Sequence, residues 1–177
     1  MDKDDAYKTL DTVNMWINNC DTKVSVILGI YGVIISLAFS LDYISKIKAI
    51  FIKFNQNHLF LRYPYFIVAI ISVVLIFVGI YKLLKVIIPR IILGAKKNGD
   101  FDSIMFFGNV AKFESYKSYC KKVGLATSES VLDDILFQIY AASKICNTKF
   151  KNQKIGLVLS LSGIVTLLVI LIIGYLF

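Results

Sequence analysis

The sequence predicts an all-α membrane protein: about three transmembrane helices, an N-terminal amphipathic helix, and a basic cytoplasmic helical module continuous with the last span. Three observations carry this. Hydrophobic residues make up 57% of the 177-residue chain, against roughly 45–50% in soluble domains. They gather into long charge-free blocks, and about 20 apolar residues at ~1.5 Å each cross ~30 Å of hydrocarbon. Nearly all of the formal net charge of +8 falls between the second and third blocks. At this length one domain, residues 1–177, accounts for the chain, with no room for a large catalytic core beside the membrane part.

Residues 1–23 open the chain as a cytoplasmic amphipathic helix, with Ala6, Leu10, Val13, Ile17 and Cys20 spaced in alternating steps of four and three and Tyr7 and Trp16 flanking the stripe. Five aspartates and the lack of an apolar h-region argue against a cleavable signal. Asn18, Asn19, Asp21, Thr22 and Lys23 form a polar collar before span 1, residues 24–41, which carries no charge. The connection that follows mixes Lys46, Lys48 and Lys53 with Ile47, Ile50, Phe51 and Phe54, a composition suited to the outer interface. Its lone His58 has no acidic or cysteine neighbour and is assigned no role.

Span 2, residues 64–84, begins through Arg62, Tyr63, Pro64 and Tyr65 and leaves through Lys82 and Lys85, aromatics at one interface and lysines at the other. Gly94, Asn98 and Gly99 break the chain after Pro89, and Asp100 or Asp102 is the expected N-cap of a helix over about 103–123. In that helix Phe106, Val110, Phe113 and Cys120 share a face with Lys117. A last helix begins near Thr127 and Ser128, where Ser130 and Asp133 have capping-box spacing. Its seam, Leu132, Ile135, Ile139, Ala142, Cys146, Lys149 and Gln153, leads without a stop signal into span 3, residues 155–177.

Lysine and arginine number three in residues 1–23, four in 42–63 and thirteen in 82–154. The positive-inside rule then puts the N-terminus and the module, residues 95–154, in the cytoplasm and the C-terminus outside. Six acidic residues leave 82–154 at +7, a charge that serves topology, anionic lipid or an anionic ligand. The ligand-binding candidates are Lys117, Lys121, Lys122 and Lys149. Lys117 and Lys149 fall on apolar faces where a cation needs water or a counter-charge, and Asp133 and Asp134 lie about four turns from Lys149, too far to pair with it along one straight helix. Ser160, Ser162 and Thr166 are the hydroxyls of span 3, suited to span packing or to a pore. The three cysteines, Cys20, Cys120 and Cys146, match no disulfide or zinc spacing and read as reduced and inert. No span carries a nucleophile, base and metal-ligand set, so neither an enzyme nor a cofactor nor a metal is expected.

The order of features resembles the Pycsar-effector-type transmembrane domain of bacterial anti-phage defence. The likeness is carried by Trp16 and Asn19 to Lys23, by Phe106-Phe107-Gly108-Asn109-Val110-Ala111, and by Leu132 to Ile139 with Lys149 and Phe150 leading into the last span. The resemblance implies a membrane effector of the bacterial inner membrane that works beside a nucleotide-second-messenger enzyme. Members fused to a cyclic-nucleotide-binding domain are longer than this chain, which is more similar to stand-alone effectors such as those of Hailong-type systems. There a partner nucleotidyltransferase or cyclase makes the nucleotide or short oligonucleotide, and the +7 segment is where its phosphates would bind. Three spans do not enclose a polar path alone, so a pore requires a homo-oligomer in the bilayer. The alternative is a ligand-independent holin-like or structural membrane protein whose lysines only fix topology.

Overall fold

The computed structural model describes residues 1–57, 62–88 and 103–176, and its helices are α1 (Lys3–Ala38), α2 (Leu41–Asn57), α3 (Arg62–Ile87), α4 (Phe107–Val110), α5 (Tyr116–Gly124) and α6 (Ser128–Leu176). Three of them, α1, α3 and α6, are long and apolar enough to cross a membrane. The protein is an all-α membrane protein. Two compact units make up the chain: one from Met1–Asn19 and Pro89–Lys149, the other from Cys20–Ile88 and Phe150–Phe177. The expected break after Pro89, the caps at Asp100 and Asp102, His58 and the terminal Phe177 lie outside the described residues.

The expected amphipathic helix and span 1 are one uninterrupted helix of 36 residues. Asn, Asp and Thr inside a helix each cost only a few tenths of a kcal/mol to about 0.7 kcal/mol, so the polar collar does not stop it. The predicted stripe Ala6, Leu10, Val13, Ile17 and Cys20 is covered, and covered positions continue at Val24 and Tyr31. The helix ends at Ala38, short of Leu41. There the Ser40 carbonyl accepts from the amides of Tyr43 and Ile44, both at 3.1 Å, and opens α2. This second helix presents Lys46, Lys48 and Lys53 to the outside and turns Phe51 and Phe54 onto Tyr65, Phe66, Ala69 and Ile170.

Residues 103–123 are not one helix. The Ser103 hydroxyl accepts from the amides of Met105 (3.1 Å) and Phe106 (2.8 Å), a local turn that leads into the four-residue α4. Turn bonds carry the chain on to Phe113, whose amide donates to the Val110 carbonyl at 3.2 Å, before Ser115, extended at φ −151°, caps α5 by accepting from the Ser118 amide at 3.2 Å. Short serine side chains compete for the backbone in this way, and two such turns outweigh the helical spacing of the apolar residues. The register that placed Lys117 with Phe106 and Phe113 is therefore lost. At α6 the capping residue is Thr127, not Ser130: the Thr127 hydroxyl accepts from the Ser130 amide at 3.2 Å, and the Ser130 hydroxyl returns to the Thr127 carbonyl at 2.9 Å. From there α6 runs 49 residues to Leu176.

Within the unit built from Cys20–Ile88 and Phe150–Phe177, glycine sets the spacing of α3 and α6. A Cβ on Gly79 would sit 2.5 Å from the Ser160 nitrogen, one on Gly156 2.8 Å from Leu83, and one on Gly163 2.7 Å from the Ser72 carbonyl oxygen. These pairs descend on one helix as they rise on the other, so α3 and α6 are antiparallel, with backbones as close as small residues allow. Tyr65 closes the far end by donating to the Ile170 carbonyl at 3.1 Å beside Gly174, where a Cβ would collide with the phenol. Along α1, Cys20 donates to Gln153 at 3.2 Å and Tyr31 meets Ser160, so α1 runs parallel to α6. Cys20, Val24, Tyr31, Leu83 and Val86 form the core joining α1 to the pair.

Candidate functional site

The unit built from Met1–Asn19 and Pro89–Lys149 is organised by a carboxylate. Asp134, on the first turns of α6 and 4% exposed, accepts from the Ser103 hydroxyl at 2.7 and 2.8 Å, from the Ile104 amide at 3.1 Å and from the Gln138 side-chain amide at 3.1 Å. Buried charge is tolerated when its lone pairs are satisfied, and these donors satisfy them. The Tyr119 hydroxyl of α5 donates to the Ile104 carbonyl at 3.1 Å, and the Tyr119 ring meets Phe113 edge-on at 5.4 Å. One carboxylate thus holds the 103–106 turn on α6, and that turn holds α5. Sequence reading missed Ser103 and Asp134 as a pair. The faint signal was an aspartate beside an apolar seam with Gln138 one turn on.

On this scaffold α5 carries three of the four lysine candidates. Lys117 and Lys121 are four residues apart, share one helix face and are exposed. Lys122 turns inward and lines a cavity of about 350 Å³ with Ile104, Leu125, Ala126, Ser130, Asp133 and Asp134. Lys121 and Lys122 also lie in the last turn of α5, where cations complement the helix dipole. Two carboxylates beside one ammonium make the cavity a poor seat for phosphate, and the open Lys117–Lys121 face the better one. Lys149 stands apart on α6, buried at 5% exposure and outside the cavity lining. It already engages a group of the protein, as do Lys122 and Asp133. Burial pushes the Cys146 thiol, one turn before Lys149, above its ordinary range, and the ammonium draws it part of the way back. The exposed Tyr116 phenol is raised by its hydrogen bond to Cys120 and by the charge of that thiol.

The hydroxyls of span 3 divide. Ser160 is fully buried; it donates to the Gly156 carbonyl at 2.7 Å, leaving its oxygen to accept from the Tyr31 hydroxyl at 2.8 Å. This is span packing. Ser162 is exposed and Thr166 half-buried, and each donates back along α6, Ser162 to the Leu159 carbonyl at 2.9 Å and Thr166 to the Ser162 carbonyl at 2.8 Å.

Comparison with known proteins places this geometry in context. Residues 5–176 match a family model described as the Pycsar effector protein domain. The chain is similar to the Pycsar effector protein GmPycTM of Gulbenkiania mobilis, 31% identical over 158 residues that cover 84% of this chain and 80% of that one. No solved structure matches.

Proposed function

From the chain's membership of the Pycsar effector family we propose that it is an anti-phage membrane effector, a homo-oligomer that opens a pore and depolarises or disrupts the bacterial inner membrane. The observation that carries this reading is one family match spanning all three apolar helices and the basic unit together. A nucleotide or short oligonucleotide, made by a partner cyclase or nucleotidyltransferase, controls the pore. Its phosphates bind at the exposed Lys117 and Lys121 on the cytoplasmic side, while Lys122, beside Asp133 and Asp134, and the buried Lys149 shape the unit around them. The N-terminus is cytoplasmic, in keeping with the thirteen Lys and Arg of residues 82–154.

The test is purified protein in liposomes holding a potassium diffusion potential, read by a potential-sensitive dye while cyclic nucleotides and short oligonucleotides are added. The potential should collapse with a nucleotide and persist without one. Lys117→Glu and Lys121→Glu should weaken nucleotide binding and flatten its dependence on salt, because fewer counterions are released. Collapse of equal rate without any nucleotide identifies the ligand-independent, holin-like alternative. Intact potential under every nucleotide refutes the pore.

A further inference from the structure

We propose that α2 holds an anionic phospholipid: one acyl chain lies in the apolar groove that α2 forms with α3 and α6, and the lysines of α2 hold the phosphate. The contacts of α2 place it at the end of the spans where α3 begins and α6 finishes. Phe54 stacks on Tyr65 with ring centroids 4.0 Å apart, and Phe51 meets Tyr65 and Phe66 at 5.4 Å each. Ile50 stands 2.7 Å from where a Cβ on Gly174 would be. Beside these contacts the three helices leave a groove of about 410 Å³, walled by Ile47 and Phe51 of α2, Val73 and Val74 of α3, and Leu167 and Leu171 of α6. Every residue that lines it is apolar. Small-ligand sites span ~300–1,000 Å³, and a volume at the low end of that range suits one hydrocarbon chain and not a whole lipid.

Charge decides what covers the groove. At ~100° per residue Ile47 and Phe51 stand about 40° apart on α2, Lys48 follows about 60° beyond Phe51, and Lys46 and Lys53 occupy the opposite flank of the apolar face. All three lysines are exposed, whereas Ile47 and Phe51 are half-buried and Phe54 is buried. An apolar face flanked by cations is the pattern of a helix at the boundary of acyl chains and headgroups, its lysine stems along hydrocarbon and its ammonium groups among phosphates. Protein counter-charge is scarce at this end. Residues 39–81 contain Lys46, Lys48, Lys53 and Arg62 against one acid, Asp42, and residues 155–177 carry no charge. Asp21, the other acid of this unit, sits beside Cys20, whose thiol reaches Gln153 where α6 enters its apolar stretch, at the opposite end of the spans.

A second copy of the chain would bring the same shortage of acids, so a protein neighbour on the groove leaves these cations uncompensated, whereas a lipid phosphate compensates them. Zwitterionic lipids carry their own cation next to the phosphate, which makes an anionic headgroup the better match. With the N-terminus in the cytoplasm, as proposed above, this is the outer leaflet. Short connections on that side carry few lysines and arginines, so topology does not account for the four found here. The groove and the cations select together: the chain fixes the lipid in place, and the phosphate sets which lipid it is.

Native mass spectrometry of the full chain in detergent, titrated with phosphatidylglycerol and with phosphatidylcholine of the same acyl chains, tests the assignment. Neither ion flux nor a nucleotide enters the readout, so the outcome is independent of the pore. The parent should retain phosphatidylglycerol more tightly than phosphatidylcholine. Lys48→Gln should weaken that retention about fivefold, the share of one lysine at an anionic surface, and Lys151→Gln, an exposed position at the other end of the spans, should leave it unchanged. Val74→Trp, which fills the groove from an exposed position, should abolish the preference. Equal retention of the two lipids by the parent overturns the site. Weakening by Lys48→Gln alone takes the acyl chain out of the groove, weakening by Val74→Trp alone takes the phosphate off α2, and either result overturns the proposal. Competition by glycerol 3-phosphate as strong as by the intact lipid does so too. Loss of oligomers in Val74→Trp with lipid retention unchanged gives the groove to a second copy instead.

Discussion

Replacing Asp134 by alanine tests whether one buried carboxylate orders the basic unit. The Ser103 hydroxyl and the Ile104 amide lose their acceptor, while Gln138 is half-buried and turns to water. Leaving a buried donor unpaired costs about 1–3 kcal/mol, so two of them come to about 2–6 kcal/mol of local stability. Because ~1.4 kcal/mol is tenfold, the amides of Ile104, Met105 and Phe106 should exchange with deuterium about thirty- to twenty-thousand-fold faster than in the parent. Met105 and Phe106 belong to the readout because Ser103, the acceptor for both amides, is itself oriented by Asp134. Exchange measured by mass spectrometry on protein in nanodiscs resolves the segment, with the exposed Glu129→Ala as a control that leaves it unchanged. Amides at 104–106 exchanging in Asp134→Ala as they do in the parent would refute the reasoning, and would mean the turn is held by something other than this carboxylate.

Gly79→Ala should lower the thermal stability of the detergent-solubilised protein by about 1–3 kcal/mol, since its methyl meets the Ser160 backbone, whereas Gly29→Ala should be neutral or slightly stabilising; equal melting of the two variants would contradict the α3–α6 packing. Burial raises the Cys146 thiol, so the folded state favours the protonated form: its contribution is full below the ordinary thiol range near ~8.5 and fades as pH rises toward the higher folded value. Cys146→Ala should accordingly lose less stability than the parent on titration from about pH 8 to 10, checked by melting at each pH. Under brief maleimide treatment Cys120 should be labelled well before Cys20 and Cys146, as peptide mapping will show. A periplasm-dependent reporter fused after residue 176 should be active and one fused at residue 1 inactive; the reverse pattern would overturn the proposed orientation.

The membrane class was legible because its signals are local: a charge-free block of apolar residues can be counted without knowing its neighbours. The covered stripe of α1 was legible for the same reason, and α6 revealed itself through seven seam positions with no stop between them. Local capping defeated the spacing argument at 103–123, where the side chains of Ser103 and Ser115 capture backbone amides. The collar at Asn18 to Lys23 misled in the opposite direction, since polarity marks a change of environment and not the end of a helix. The partners of Ser160 and Asp134 were not legible: they are Tyr31, 129 residues away, and Ser103, 31 residues away.

The glycines between α3 and α6 also limit how the protein can move. Each of them leaves just enough room for the backbone opposite, and the residues one turn to either side, such as Ile76 and Leu83 around Gly79, are large. If α3 slipped by a turn against α6, a branched side chain would be driven into a carbonyl, so the two helices cannot act as a piston and sleeve. They are a single strut, so a gate of the kind proposed would swing on joints elsewhere: at the Phe39–Ser40 bend, or along the contact of α1, where the Tyr31–Ser160 and Cys20–Gln153 hydrogen bonds and a small apolar core would part.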